Sequence, residues 1–174
     1  ADVVPRAAMN ENGDFVIAWA SAWVESWDYV QRRIYARLYD ATGVPETDQI
    51  QVNSVPISGS TDFDVAIGGN QRFAVSWYYE RWGSEVTETG TTEVYVRSFK
   101  AGGIPTGDEL LVNNSNLGFF DESFGGPVVS MLHDGRIVAA WFSHGNNINT
   151  LYPITILVQR FDADQFAPQQ VHDH

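Results

Sequence analysis

The chain has 174 residues, the size of one ordinary domain. Its 22 acidic against 10 basic residues leave a net charge of −12, which excludes a phosphate-gripping nucleic-acid surface. Hydrophobic residues at 44% supply a core, and the absence of cysteine removes disulfides, thiolate metal sites and cysteine nucleophiles.

In chain order, a short apolar stretch from Pro5 leads through Asn12-Gly13 into Phe15-Val16-Ile17-Ala18-Trp19. A long connection follows, then the alternating run Ile34-Tyr35-Ala36-Arg37-Leu38-Tyr39, a Gly43-Val44-Pro45 turn and Ile50-Gln51-Val52-Asn53. The same series returns from Phe63. Phe73-Ala74-Val75-Ser76-Trp77 answers the first tryptophan run, Val94 to Phe99 the alternating run, Gly103-Ile104-Pro105 the turn, and Leu110 to Asn113 the last run. A third series starts at Pro127, with Ile137-Val138-Ala139-Ala140-Trp141 and Ile156 to Phe161, and degrades after Ala163. The period is about 60 residues, in the range of blade-like or solenoid repeats. Period-two alternation and turn residues predict four antiparallel strands per unit, and no segment carries a sustained helical period. Asn12-Gly13 and Asp134-Gly135 suit two-residue type I′ hairpins, with Asn70-Gln71 a weaker version.

The expected fold is therefore all-β: three four-stranded antiparallel blades of a β-propeller, over residues 1–63, 64–126 and 127–174. Three blades are a partial propeller with two open apolar flanks. A second copy or another propeller chain is expected to cover them.

Gly13-Asp14-Phe15 to Trp19, Tyr35-Ala36-Arg37 to Pro45 and Gln51-Val52-Asn53 resemble the tandem repeats of large secreted or surface bacterial proteins. That resemblance implies a propeller-like, non-enzymatic module at the cell surface or outside it, in company with adhesion or calcium-binding modules. It carries over no catalytic residue.

The short turns recur, whereas the long connections differ among units, and divergent loops are where such scaffolds recognise ligands. They hold the candidate ligand-binding residues Trp23, Trp27, Tyr29, Tyr79, Trp82, Asp121, Glu122, His144 and Tyr152. Aromatic rings beside carboxylates stack on sugars or anchor a protein partner; the competing expectation is that they bury between units. Trp19, Trp77 and Trp141 recur inside apolar strands and are expected in packing between units. Arg37 and Arg97 are expected to stack on neighbouring rings and to bind carbonyls.

No nucleophile elbow, Walker loop, zinc-protease motif or dinucleotide fingerprint is present. Asn10 to Asp14 is rich in oxygen donors, yet it lacks the remaining ligands of an EF-hand loop, and no cofactor is expected beyond a weak case for calcium. A glycosidase needs only two carboxylates across a cleft, but no sialidase-type Asp box accompanies them. The sequence thus points to a non-catalytic extracellular binding or assembly module making protein or adhesive contacts. A glycan-binding lectin is the first alternative and a glycosidase fragment the second. No apolar run approaches the ~20 residues that span a bilayer, so no membrane insertion is expected. Ala1 in place of Met is expected of a processed or excised product.

Overall fold

A computed structural model describes residues 5–26, 29–58, 62–81, 91–113, 122–145 and 155–162. The all-β expectation holds. The chain forms three antiparallel sheets in sequence order. The first contains β1 (Arg6–Met9), β2 (Phe15–Ser26), β3 (Tyr29–Tyr39), β4 (Ile50–Gln51) and β5 (Ile57–Ser58), the last two sharing the outer edge of β3. The second orders β6 (Phe63–Ile67), β7 (Phe73–Arg81), β8 (Thr91–Phe99) and β9 (Leu110–Leu111). The third orders β10 (Glu122–Met131), β11 (Ile137–Gly145) and β12 (Thr155–Phe161).

The propeller expectation does not hold. The sheets have five, four and three strands, and they are not arranged as propeller blades. Alternation and turn chemistry act locally, so they dictate the meander within each unit, and that meander is present. The side chains trapped between sheets set how one sheet lies on the next, and the repeat pattern leaves that unspecified. The run expected to give the third unit a fourth strand, residues 165–172, lies outside the described residues.

The sheets pack in series through two apolar layers. Val16, Ala18, Ile34, Ala36 and Leu38 of the first sheet meet Phe63, Val65, Phe73, Val75 and Trp77 of the second. On the opposite side of the second sheet, Ala66, Ala74, Val94 and Val96 meet Val129, Ile137, Ala139, Trp141 and Phe161 of the third. Successive residues of a strand point to opposite sides, so each unit has a front face toward the preceding unit and a back face toward the next.

The first hairpins reverse the expectation for their turns. Gly13 and Gly135 alone take positive φ, at 89° and 88°, so units one and three use three-residue loops closed by a left-handed glycine. The second unit, with no glycine at the tip, has positive φ at both Asn70 (53°) and Gln71 (57°), the backbone of a type I′ turn. Gly68 and Gly69 explain the difference. A Cβ at Gly68 would lie 2.4 Å from Leu132 O, and one at Gly69 2.5 Å from His133 O. Close contact with the third unit claims these glycines, so the turn falls on Asn70 and Gln71.

Asn53 and Asn113 are buried and play the same part 60 residues apart. Asn53 Oδ1 accepts the Ile34 N–H at 2.6 Å, and Asn113 Oδ1 the Val94 N–H at 2.7 Å. Asn53 Nδ2 also donates to Val55 O at 2.7 Å. They satisfy strand donors beyond the ends of β4 and β9, where the ladder stops.

Candidate functional site

The internal equivalences identify what is left open. Aligning Trp19 with Trp77 and Trp141 places Phe15 on Phe73, Tyr35 on Tyr95, Arg37 on Arg97 and Tyr39 on Phe99. In the second unit these front-face residues lie against the first sheet. Phe73 and Phe99 are fully buried and stacked, with ring centroids 4.5 Å apart. Trp77 stacks on Tyr95 at 5.6 Å, and the Arg97 guanidinium reaches across to Val52 O at 2.6 Å.

In the first unit nothing among the described residues covers the equivalents. Phe15 stacks on Tyr39 at 4.8 Å and Trp19 lies 6.1 Å from Tyr35, yet all four rings stay half-exposed, and Met9 beside them is 68% exposed. Arg37 donates to Thr47 O within its own unit at 2.9 Å and lies 5.8 Å from the Tyr39 ring centre. The expectation for the two arginines, rings and carbonyls, is met. The expectation for Trp19 is corrected. Trp77 and Trp141 pack between units, whereas Trp19 lies on a face that no described residue covers.

The back face of the third sheet is the second open surface. Val138, Ile156 and Val158 occupy the places of Ala74, Val94 and Val96. Those three of the second unit are 0% exposed; their third-unit equivalents are 40%, 61% and 50% exposed. Val128 adds another exposed apolar side chain, opposite Ala140 in the ladder, and Ala140 is in turn opposite Val158.

Of the candidate ligand-binding residues, Trp23 is partly exposed, and β-alternation sets it on the front face of the first sheet with Trp19. The Arg33 guanidinium sits 5.0 Å from its ring centre. Tyr79 belongs to strand β7, not to a loop, and packs half-buried against the layer between the first two sheets. Tyr29, Glu122 and His144 lie in β3, β10 and β11, and their side chains are outside the described ones. Trp27, Trp82, Asp121 and Tyr152 lie outside the described residues. Trp23 and Tyr79, the two candidates whose side chains are described, lie on different sheets, whereas Glu122 and His144 fall on the paired strands β10 and β11.

Sequence reasoning missed Met9, Phe15, Tyr35 and Tyr39 on one open face and Val138, Ile156 and Val158 on the other. The signal was available: each is the counterpart of a residue facing the next or the preceding unit.

The polar clusters that are described serve the turns. Asn10 Oδ1 accepts the N–H groups of Asn12 and Asp14, each at 3.0 Å, so the oxygen-rich segment is closed on its own backbone. Asp40 Oδ1 accepts Thr42 Oγ1–H at 2.7 Å and the Val44 N–H at 2.9 Å. These bonds, the Thr42 hydroxyl foremost, hold its carboxyl below the usual carboxylate range. His133, in the third unit's first turn, pairs with Glu11 of the first at 2.7 Å. Among the described residues no group of three or more His, Asp or Glu side chains converges as a metal site. Nor is any helix among them long and apolar enough to cross a membrane.

No known family matches the chain, and no curated protein is significantly similar to it.

Proposed function

We propose that this chain is a non-catalytic binding and assembly module, acting outside the cell or on its surface, whose working surfaces are the two open sheet faces. One observation carries this: Phe73, Trp77, Phe99, Val94 and Val96 are buried where a neighbouring sheet covers them, while their counterparts on the two open faces keep part of their surface in water. Met9, Val138, Ile156 and Val158 together make exposed apolar area of a kind that marks interaction sites. The extracellular placement rests on the resemblance to repeats of secreted and surface proteins. Sedimentation over a rising concentration series tests the assembly role. The expected result is a mass above the 19.4 kDa of one chain, lost in Val158→Arg. A single-chain mass at every concentration overturns it. A second role, glycan binding, is favoured by the partly exposed Trp23 with Arg33 against its ring; it predicts sugar binding that disappears in Trp23→Ala.

A further inference from the structure

The geometry points to a specific partner and polarity: a second copy of this chain, docked head to tail, with the front face of its first sheet on the back face of the third. This rests on the assembly role proposed above and adds who binds and in which direction.

The warrant is that the chain already makes this contact twice. First-sheet back face on second-sheet front face, and second-sheet back face on third-sheet front face, are the same pairing of equivalent residues. The two unpaired faces are the two halves of a third such pairing. Aromatic rings with an arginine lie on one, and Val138, Ile156 and Val158 on the other stand where the first internal layer has aliphatic side chains, with Arg160 in the place of Leu38. A like-with-like contact would instead set aromatic face on aromatic face, a pairing found at neither internal layer. Arg37 stands where Arg97 reaches its neighbour's backbone, and supplies that same donation to the adjoining copy.

The contact is weaker than the internal ones for a definable reason. At each internal junction a charged side chain of the preceding unit's first strand grips the next unit. Arg6 Nη2 binds Asp62 Oδ1 at 3.0 Å, and Asp64 Oδ2 accepts the Val129 N–H at 2.9 Å. The equivalent of Arg6 and Asp64 in the third unit is Val128, which can make neither bond. Association is therefore reversible and rises with concentration.

The test uses complementation between two variants altered where side chains are already exposed, so that folding is spared. Met9→Arg blocks the front face and Ile156→Arg the back, with Ala7→Arg and Val158→Arg as second versions of each. The expected result is that wild type associates, each variant alone sediments as a single chain, and an equimolar mixture forms a 1:1 dimer of twice that mass. Head-to-tail docking leaves one intact front and one intact back in the mixture, hence one dimer and nothing larger. Association of either variant alone, or a mixture that stays monomeric, overturns the polarity while leaving assembly standing. A wild-type chain that never associates overturns both.

Discussion

The backbone N–H of Gly69 donates to the carbonyl oxygen of His133 at 3.0 Å, tying the first turn of the second unit to that of the third. Asn10 Nδ2 donates to Gly68 O at 3.2 Å and Glu11 pairs with His133, so all three first turns are linked at one edge. A methyl group at Gly69 would press on His133 O at 2.5 Å and on its ring. Gly69→Ala is expected to destabilise the chain by about 1–3 kcal/mol, as overpacked interior positions do. Urea unfolding followed by circular dichroism should show the lower midpoint with an unchanged slope.

Ser76 is the mirror case. Its hydroxyl is buried with no hydrogen-bond partner among the described residues, and the equivalent positions in the other units are Ala18 and Ala140. Ser76→Ala removes an unsatisfied buried oxygen and is expected to stabilise the fold by about 1 kcal/mol. A melting temperature unchanged or lowered by the substitution would show that the hydroxyl has a partner.

Asn53 and Asn113 predict the opposite sign. Asn113→Ala leaves the Val94 N–H unpaired inside the second sheet, and the expected loss is about 1–3 kcal/mol. Asn53→Ala removes an acceptor and a donor in one step and should cost at least as much. Hydrogen exchange checks the assignment, since Val94 and Ile34 amides should lose protection in the respective variants.

The second unit's first turn offers a stabilising change. Gln71 has φ of 57°, where a side chain is unfavourable, and glycine there would complete the Asn-Gly dipeptide that type I′ turns prefer. Gln71→Gly is expected to raise stability by about 0.5–1 kcal/mol, measured as a higher urea midpoint. The same glycine at Asn12 or Asp134, where φ is negative, should bring no such gain.

Asp40 gives a pH dependence. Its carboxyl is held below its ordinary value in the folded chain, so its contribution is fully present above the unfolded carboxylate pKa. That contribution is lost as pH falls through the lower, folded value. Asp40→Asn should flatten the acid limb of a stability–pH curve without shifting the neutral plateau by much, because the turn is exposed. An acid limb identical to wild type would show that the turn does not contribute.

The strands were legible because their signal is local. Ile34 to Tyr39 and Val94 to Phe99 alternate as a pleated ladder requires, and both lie in strands with alternate residues buried. How the sheets sit on one another was not legible, since Val16 or Phe73 reads as core whatever angle its neighbour adopts. The turns were read in the wrong order of strength, because Gly68 and Gly69 answer to Leu132 and His133, far away in sequence. Trp19 was misplaced for a related reason: the first unit carries the same pattern as the second, so its sequence looks buried even though no described sheet covers its front face. The candidate site suffered in the same way. Tyr79 belongs to a layer between sheets, while Met9 and Ile156 gave no sign of exposure until their counterparts were found covered.

The unequal surroundings of Trp19, Trp77 and Trp141 give the chain a built-in optical gauge. Trp77 and Trp141 are 2% and 5% exposed, so a water-borne quencher such as acrylamide reaches Trp19 and Trp23, both on the open front face, ahead of them. Anything that settles over those two indoles dims the quencher's effect and blue-shifts their emission, reporting occupancy of that face without any attached dye.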